Sequence, residues 1–122
     1  MNNFDDIKLQ AIPMGRDLLL TLTGGEAHIG AASTAYFSDQ GIEVQTSAVP
    51  GHKEHVLTAG LAKRAANYLR RTVTVVMGIH YDGLNREEIQ QISQITKSLL
   101  EQLLAESRTG GLYECVKSGR SR

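Results

Sequence analysis

The sequence predicts an α+β domain in which a mainly antiparallel sheet of about five strands carries two helices on one face, in the order ββββ-α-β-α. The first half of the chain alternates apolar and polar residues, or carries short apolar runs between turn residues, as strands do. The second half contains two long segments with apolar residues at helical spacing. Between them lies a β-branched run, Thr72 to Ile79, which predicts a buried strand at a central position in the sheet.

Turn residues divide the first half into four predicted strands. The first, Asp5 to Met14, contains a proline and is therefore typical of a sheet edge. A buried strand over Leu18 to Thr23 ends at Gly24-Gly25, and a third strand, His28 to Phe37, is rich in small residues. The fourth, Ile42 to Val49, alternates apolar and polar side chains and so has one wet face.

Two helices follow from the apolar periodicity of the second half. The first is predicted over His52 to Arg70, and Gly60 within it indicates close packing against the strand of small residues. The second begins after Asn85, which can form a capping box with Glu88, and ends near Arg108 before a pair of glycines. Its long isoleucine and leucine stripe predicts a buried face.

Length and composition restrict the class of protein. With 122 residues, the chain is expected to form one domain over residues 1–108, followed by a flexible basic tail over 109–122. The 13 basic and 13 acidic residues cancel, so we expect no nucleic-acid binding through a basic surface, and the neutral chain favours a homodimer. The single cysteine, Cys115, predicts a cytoplasmic protein, and no apolar segment is long enough for a membrane helix.

Three short stretches place histidine beside glycine at the predicted ends of elements. The stretch Val49 to His55 lies where a strand gives way to a helix, whose free N–H groups and Lys53 suit an anion such as phosphate. The other two are Gly24 to Gly30 and Gly78 to Gly83, and we expect all three to converge on one site for a polar, phosphorylated ligand. The residues expected to bind it are Gly25, His28, Gly30, Gly51, His52, Lys53, Glu54, His80, Tyr81 and Asp82.

The same histidines allow a second interpretation. His28, His52 and His80, with Glu54 or Asp82, have the donor types of a divalent metal site for zinc or manganese. Their spacing does not match the metalloprotease motif. The chain could therefore be a small metal-dependent hydrolase with Glu54 as general base, a binding module without catalysis, or a purely structural accessory subunit.

Taken together, the three stretches resemble a known family. Residues 15–30 (GRDLLLTLTGGEAHIG), 50–54 (PGHKE) and 78–82 (GIHYD) are similar to the LpdD-like family, the small accessory subunits of gallate-type decarboxylases. The resemblance implies a non-catalytic chaperone that carries prenylated flavin mononucleotide from a flavin prenyltransferase to a UbiD-type decarboxylase. It also implies that the three stretches form the cofactor cradle. Residues 50–54 would meet the phosphate, while His28, His80 and Tyr81 would meet the ring or an ion bound to the phosphate.

Overall fold

The computed structural model describes residues 4–51, 54–108 and 115–117 of the chain, with Arg108 and residues 115–117 described by their backbone alone. It contains six strands and two helices: β1 (Lys8–Met14), β2 (Asp17–Gly25), β3 (Ala31–Ser38), β4 (Gly41–Ala48), α1 (His55–Leu69), β5 (Val73–His80), α2 (Arg86–Arg108) and β6 (Cys115–Lys117). The predicted α+β class and the predicted order of elements are confirmed.

The strands form one mixed sheet in the order β4-β3-β5-β2-β1-β6. Four of the five pairings are antiparallel, and β2 and β5 pair in parallel at the centre. β5 therefore has the central position that its β-branched composition predicted. The parallel pair arises because α1 returns the chain before β5 is formed, so that β5 enters between β3 and β2.

β6 is the element that the sequence analysis did not predict. Most of the predicted tail, 109–122, lies outside the described residues, but Cys115–Lys117 pairs antiparallel with residues 8–10 of β1. A three-residue strand is too short to show an alternating pattern, and its pairing satisfies backbone groups that β1 would otherwise expose. The expected edge position of β1 holds only beyond Gln10, where Pro13 lies.

Both helices cover the same face of the sheet. Alternate residues of the two central strands point towards them and are fully buried, for example Leu20 and Leu22 of β2 and Val75 of β5. α1 packs on β3, β4 and β5, while α2 packs on α1 and β1 through Leu99, Leu100, Leu103 and Leu104. Among the described residues, neither helix is long and apolar enough to cross a membrane.

Hydrogen bonds between hydroxyl groups, two of them buried, link α1 to the sheet. Ser33 of β3 lies 2.7 Å from the hydroxyl of Thr46 on β4 and 2.7 Å from that of Thr58 on α1. These hydrogen bonds satisfy polar groups that would be costly to bury alone. The prediction that Gly60 packs closely on the small-residue strand was wrong. Gly60 lies on the exposed side of α1, and a Cβ built on it would meet none of the described residues within 4 Å.

Candidate ligand-binding site

The described parts of the three glycine and histidine stretches lie at one end of the sheet. Because β2 and β5 run parallel, both end at the same edge, where Gly25 is the register partner of His80. The segment before β3 crosses this edge, and the imidazole rings of His28 and His80 lie 5.8 Å apart between centroids. His52 and Lys53 lie outside the described residues, so their place in the site stays a prediction.

Two glycines make this close approach possible. A Cβ on Gly78 would lie only 1.2 Å from the carbonyl oxygen of His28, so the backbone at His28 rests directly on Gly78. Gly25 has a φ of +65°, and a Cβ there would overlap the carbonyl oxygen of His80, which accepts a 3.0 Å hydrogen bond from the N–H of Glu26. These glycines therefore accommodate neighbouring backbone of the same chain and thereby fix the positions of both histidines.

The start of α1 closes on the same end. A Cβ on Gly30 would lie 2.6 Å from the carboxylate of Glu54, so this carboxylate lies directly against the segment before β3. Glu54 is the N-cap residue of α1 but does not cap it with its side chain. Gly51, three residues earlier, has a φ of +87°, and a Cβ built on it would meet none of the described residues within 4 Å, which leaves open backbone on that side. Gly51 is thus the glycine of the predicted set at which a ligand has the most room to approach.

A pocket of about 240 Å³ opens between these elements. Its walls come from the end of β5, the start of α1 and the start of α2. The floor is apolar, and the polar groups of Glu54 and His80 lie with Gly51 among its lining. The apolar lining residues are Leu57, Met77, Ile79, Leu84, Ile89 and Ile92.

Two carboxylates lie close to His80, which lines the pocket. Nε2 of His80 donates a 3.1 Å hydrogen bond to Asp82, and the ligand atoms of Glu26, His80 and Asp82 all lie within 4.8 Å of one another. This spacing would allow a divalent cation to draw the three groups together. His80 and Asp82 belong to the predicted set and Glu26 is new, while Nε2 of His28 is buried and His52 lies outside the described residues. Without a cation, these carboxylates would oppose the approach of a phosphate.

Tyr81, which was predicted to meet the ligand, packs against the hydrophobic core. Its ring packs edge-on against Phe4 at 4.9 Å, and its hydroxyl donates to Asp6, which also accepts a 2.8 Å hydrogen bond from the N–H of Gly25. Partial burial, with the bond to Asp6, raises the pKa of Tyr81 well above its usual range, and the bond from Tyr81 lowers the pKa of Asp6. Tyr81 therefore ties the chain start to the Gly25 turn and does not line the pocket.

The apolar part of the site is what the sequence analysis missed. Ile89 belongs to the stripe of α2 that was predicted to be buried, yet it is 55% exposed beside the pocket. Four exposed aliphatic residues belong to the segments around this end: Ile29, Val49, Val56 and Ile89. The sequence could have indicated their exposure only by their position. Each of them lies within a few residues of a glycine and histidine stretch or of the start of α2, where an apolar stripe can extend beyond the core.

Fold and site together define a small α+β domain with a pocket between the carboxyl end of the central strand β5 and the starts of both helices. Comparison with known proteins identifies its family. Residues 2–108 match the model of the prenylated flavin chaperone LpdD-like domain. The chain is also 31% identical over 103 residues to Protein LpdD of Lactiplantibacillus plantarum, an alignment that covers 80% of this chain and 76% of that protein. The chain belongs to the LpdD-like family of prenylated flavin chaperones, and this membership supports an accessory role without catalysis.

Proposed function

We propose that this protein binds prenylated flavin mononucleotide, without catalysing a reaction on it, and delivers it to a UbiD-type decarboxylase. The observation that carries the proposal is the pocket between the end of β5 and the starts of α1 and α2, in a chain that belongs to a family of prenylated flavin chaperones. A flavin prenyltransferase would supply the cofactor. Such an exchange needs binding that is firm but reversible.

The pocket lining suits part of this ligand. Prenylated flavin carries an additional isoprenoid-derived ring, and the apolar floor formed by Met77, Ile79 and Ile92 would hold such a group away from water. At about 240 Å³ the pocket is smaller than the roughly 300–1,000 Å³ of sites that enclose a drug-sized ligand. We therefore expect it to enclose one edge of the ring system and to leave the remainder at the mouth.

The phosphate requires a different set of groups. The open backbone at Gly51 precedes α1, and the N–H groups at the start of a helix favour an anion. Lys53 would add a positive charge there. Because Glu26 and Asp82 bring negative charge beside His80, and the Glu54 carboxylate lies against Gly30, the phosphate is expected at the Gly51 backbone, with His28 and His80 towards the ring.

The exposed aliphatic residues give a physical reason for delivery. Val56, Ile29 and Ile89 are 68%, 65% and 55% exposed, and large apolar side chains around a site mark contact surfaces. We propose that the decarboxylase covers this rim during transfer, so that the reduced flavin passes between two sites that exclude water. The homodimer remains part of the proposal, and light scattering on the purified protein tests it.

Co-expression with a flavin prenyltransferase tests the proposal. The purified protein should carry the absorption spectrum and the mass of prenylated flavin mononucleotide, and should restore activity to a decarboxylase that lacks the cofactor. His80→Ala, His52→Ala and Lys53→Ala should weaken retention while the fold persists. Lys97→Ala, on the exposed side of α2, serves as the control and should retain the flavin.

Two results would contradict this function. A protein that stays colourless after co-expression does not bind the cofactor, and a loaded protein that transfers nothing to the decarboxylase is not a delivery protein. If the Lys53 and Lys97 variants lost the flavin equally, the loss would reflect general charge and the site would lie elsewhere.

The cluster of Glu26, His80 and Asp82 favours a second candidate, a small metal-dependent enzyme with Glu54 as general base. Elemental analysis separates the two. Stoichiometric zinc or manganese that is lost in Asp82→Asn, in a protein without flavin, would favour the enzyme. Metal that appears only together with the flavin would instead indicate an ion between the phosphate and the carboxylates.

A further inference from the structure

A second cluster of functional side chains lies at the opposite end of the sheet. Arg16 lies in the turn before β2, Arg70 and Arg71 follow α1, and Phe37 lies near the end of β3. Together with Asp17 and Thr72 they line a groove of about 520 Å³. β5 runs between the two ends, so its eight residues place this groove about 25 Å from His80. The groove is therefore separate from the ligand pocket.

In the part of the chain that the structure describes, the three arginines have no carboxylate partner of the kind that Arg64 has. Within the described part of the chain, none of them forms an ion pair, whereas Arg64 binds both carboxylate oxygens of Glu101 at 2.7 and 2.8 Å. Asp17 is the acidic residue among the lining residues of the groove. Because the whole chain has zero net charge, this concentration of positive charge is local and does not follow from composition.

Arg70 stands at a position that favours a different residue. It is the C-cap of α1 with φ 57° and ψ 48°, the left-handed conformation in which glycine is most common. The cap itself is made by the backbone N–H of Arg70 to the carbonyl of Ala66, so capping does not require the arginine side chain. That side chain lies over the ring of Phe37, 4.8 Å from its centroid, and donates to Asn67 at 3.2 Å. The guanidinium group is thus held in place at a conformational cost.

We propose that this groove, formed by Arg16, Arg70, Arg71 and Phe37, is a docking surface for an acidic segment of a partner protein. Arginine binds carboxylates in a bidentate manner, and arginine and aromatic residues are enriched where protein partners bind most tightly. A small anion is a poorer match, because none of the six lining residues is buried and a small-molecule site encloses most of its ligand.

A second copy of this chain is also a poorer match than a different protein. The carboxylates of Glu26, Glu54 and Asp82 lie at the other end, so docking them into the groove would join copies head to tail. Such contacts form a ring or an open filament, and either would cover the ligand pocket of most or all copies. A separate acidic partner leaves the pocket accessible, whichever ligand that pocket binds.

A short, fluorescently labelled poly-glutamate peptide tests the proposal by fluorescence anisotropy at low ionic strength, with the full chain. Replacing Arg16, Arg70 and Arg71 together by alanine should raise the Kd about tenfold or more, since each charge-assisted contact is lost. The matched control replaces the exposed Lys8, Lys63 and Lys97 by alanine, removes the same charge, and should change the Kd by no more than about twofold. Asp17→Asn should tighten binding, because it removes a carboxylate from the groove.

Circular dichroism of each variant verifies that the fold is retained. Absence of peptide binding to the unaltered protein would overturn the proposal, as would equal weakening in the two triple variants. One-to-one binding of inorganic pyrophosphate that depends on the three arginines, without binding of the peptide, would show a small-anion site and would overturn it as well.

Discussion

The substitution Gly78→Ala should be severely destabilising, because the added methyl group has no room. A Cβ rarely comes within 3.0 Å of another heavy atom, and here it would lie 1.2 Å from the His28 carbonyl oxygen. The backbones at Gly78 and His28 must therefore separate by about 1.8 Å, which is the difference between these two distances. That shift would break the 2.9 Å hydrogen bond from the N–H of Gly30 to the carbonyl of Met77. Overpacking costs about 1–3 kcal/mol and a lost hydrogen bond about 1 kcal/mol, so we expect a loss of about 2–4 kcal/mol.

The matched control is the same substitution on the exposed side of α1. Gly60→Ala places its methyl group where none of the residues that the structure describes lies within 4 Å, and alanine is more favourable than glycine in a helix interior by about 1 kcal/mol. Urea denaturation followed by circular dichroism measures both free energies of unfolding. We expect opposite signs. A Gly78→Ala variant as stable as the unaltered protein would refute the reasoning, because the segment at His28 could then move away from β5 without cost.

Three further changes test other contacts. Tyr81→Phe keeps the packing on Phe4 but removes the hydrogen bond to Asp6, and should lower the free energy of unfolding by about 1 kcal/mol. The folded state lowers the pKa of Asp6, so the stability that this carboxylate contributes is present above its unfolded pKa of about 4 and is lost as the pH falls through the lower folded value. Asp6→Asn should therefore reduce the slope of stability against pH below about pH 4, measured by acid titration of denaturation. An unchanged slope would count against the contact. Arg70→Gly should raise the free energy of unfolding by about 1 kcal/mol, since glycine adopts φ 57° without strain. It should also weaken peptide binding in the groove that Arg70 lines. A destabilised variant would show that the side chain is needed for the fold.

The sequence could predict the elements because each one is encoded locally. Alternation over Ile42 to Val49 and the β-branched run from Thr72 have the strand period, and the capping box was correct: the N–H of Glu88 donates to the side chain of Asn85 at 2.8 Å, and Glu88 accepts from the N–H of Asn85 at 3.1 Å. The sheet order and β6 depend on pairing between distant residues. No local pattern states that β5 pairs with both β3 and β2.

The convergence of the described stretches was predictable from the sequence, whereas their side-chain contacts were less so. Glycine next to histidine at element ends pointed to the edge where β2 and β5 end and β3 begins, and where His28 and His80 lie together. The direction of a side chain in a loop depends on tertiary contacts, and so the contact of Tyr81 with Asp6 was not foreseen. The apolar floor was assigned to the core, because a stripe such as that of Ile89 does not show where the core ends and a pocket begins.

The glycines provide the most direct test of the central claim, which is that a single ligand binds where the three stretches meet. In a protein with ¹⁵N-labelled glycine, the amide signals of Gly25, Gly30 and Gly51 report on the pocket end, and those of Gly15 and Gly41 report on the opposite turns. Anaerobic addition of prenylated flavin mononucleotide should shift the first three signals and leave the other two unchanged. Shifts confined to Gly15 and Gly41 would place the ligand at the wrong end of the sheet and contradict the account.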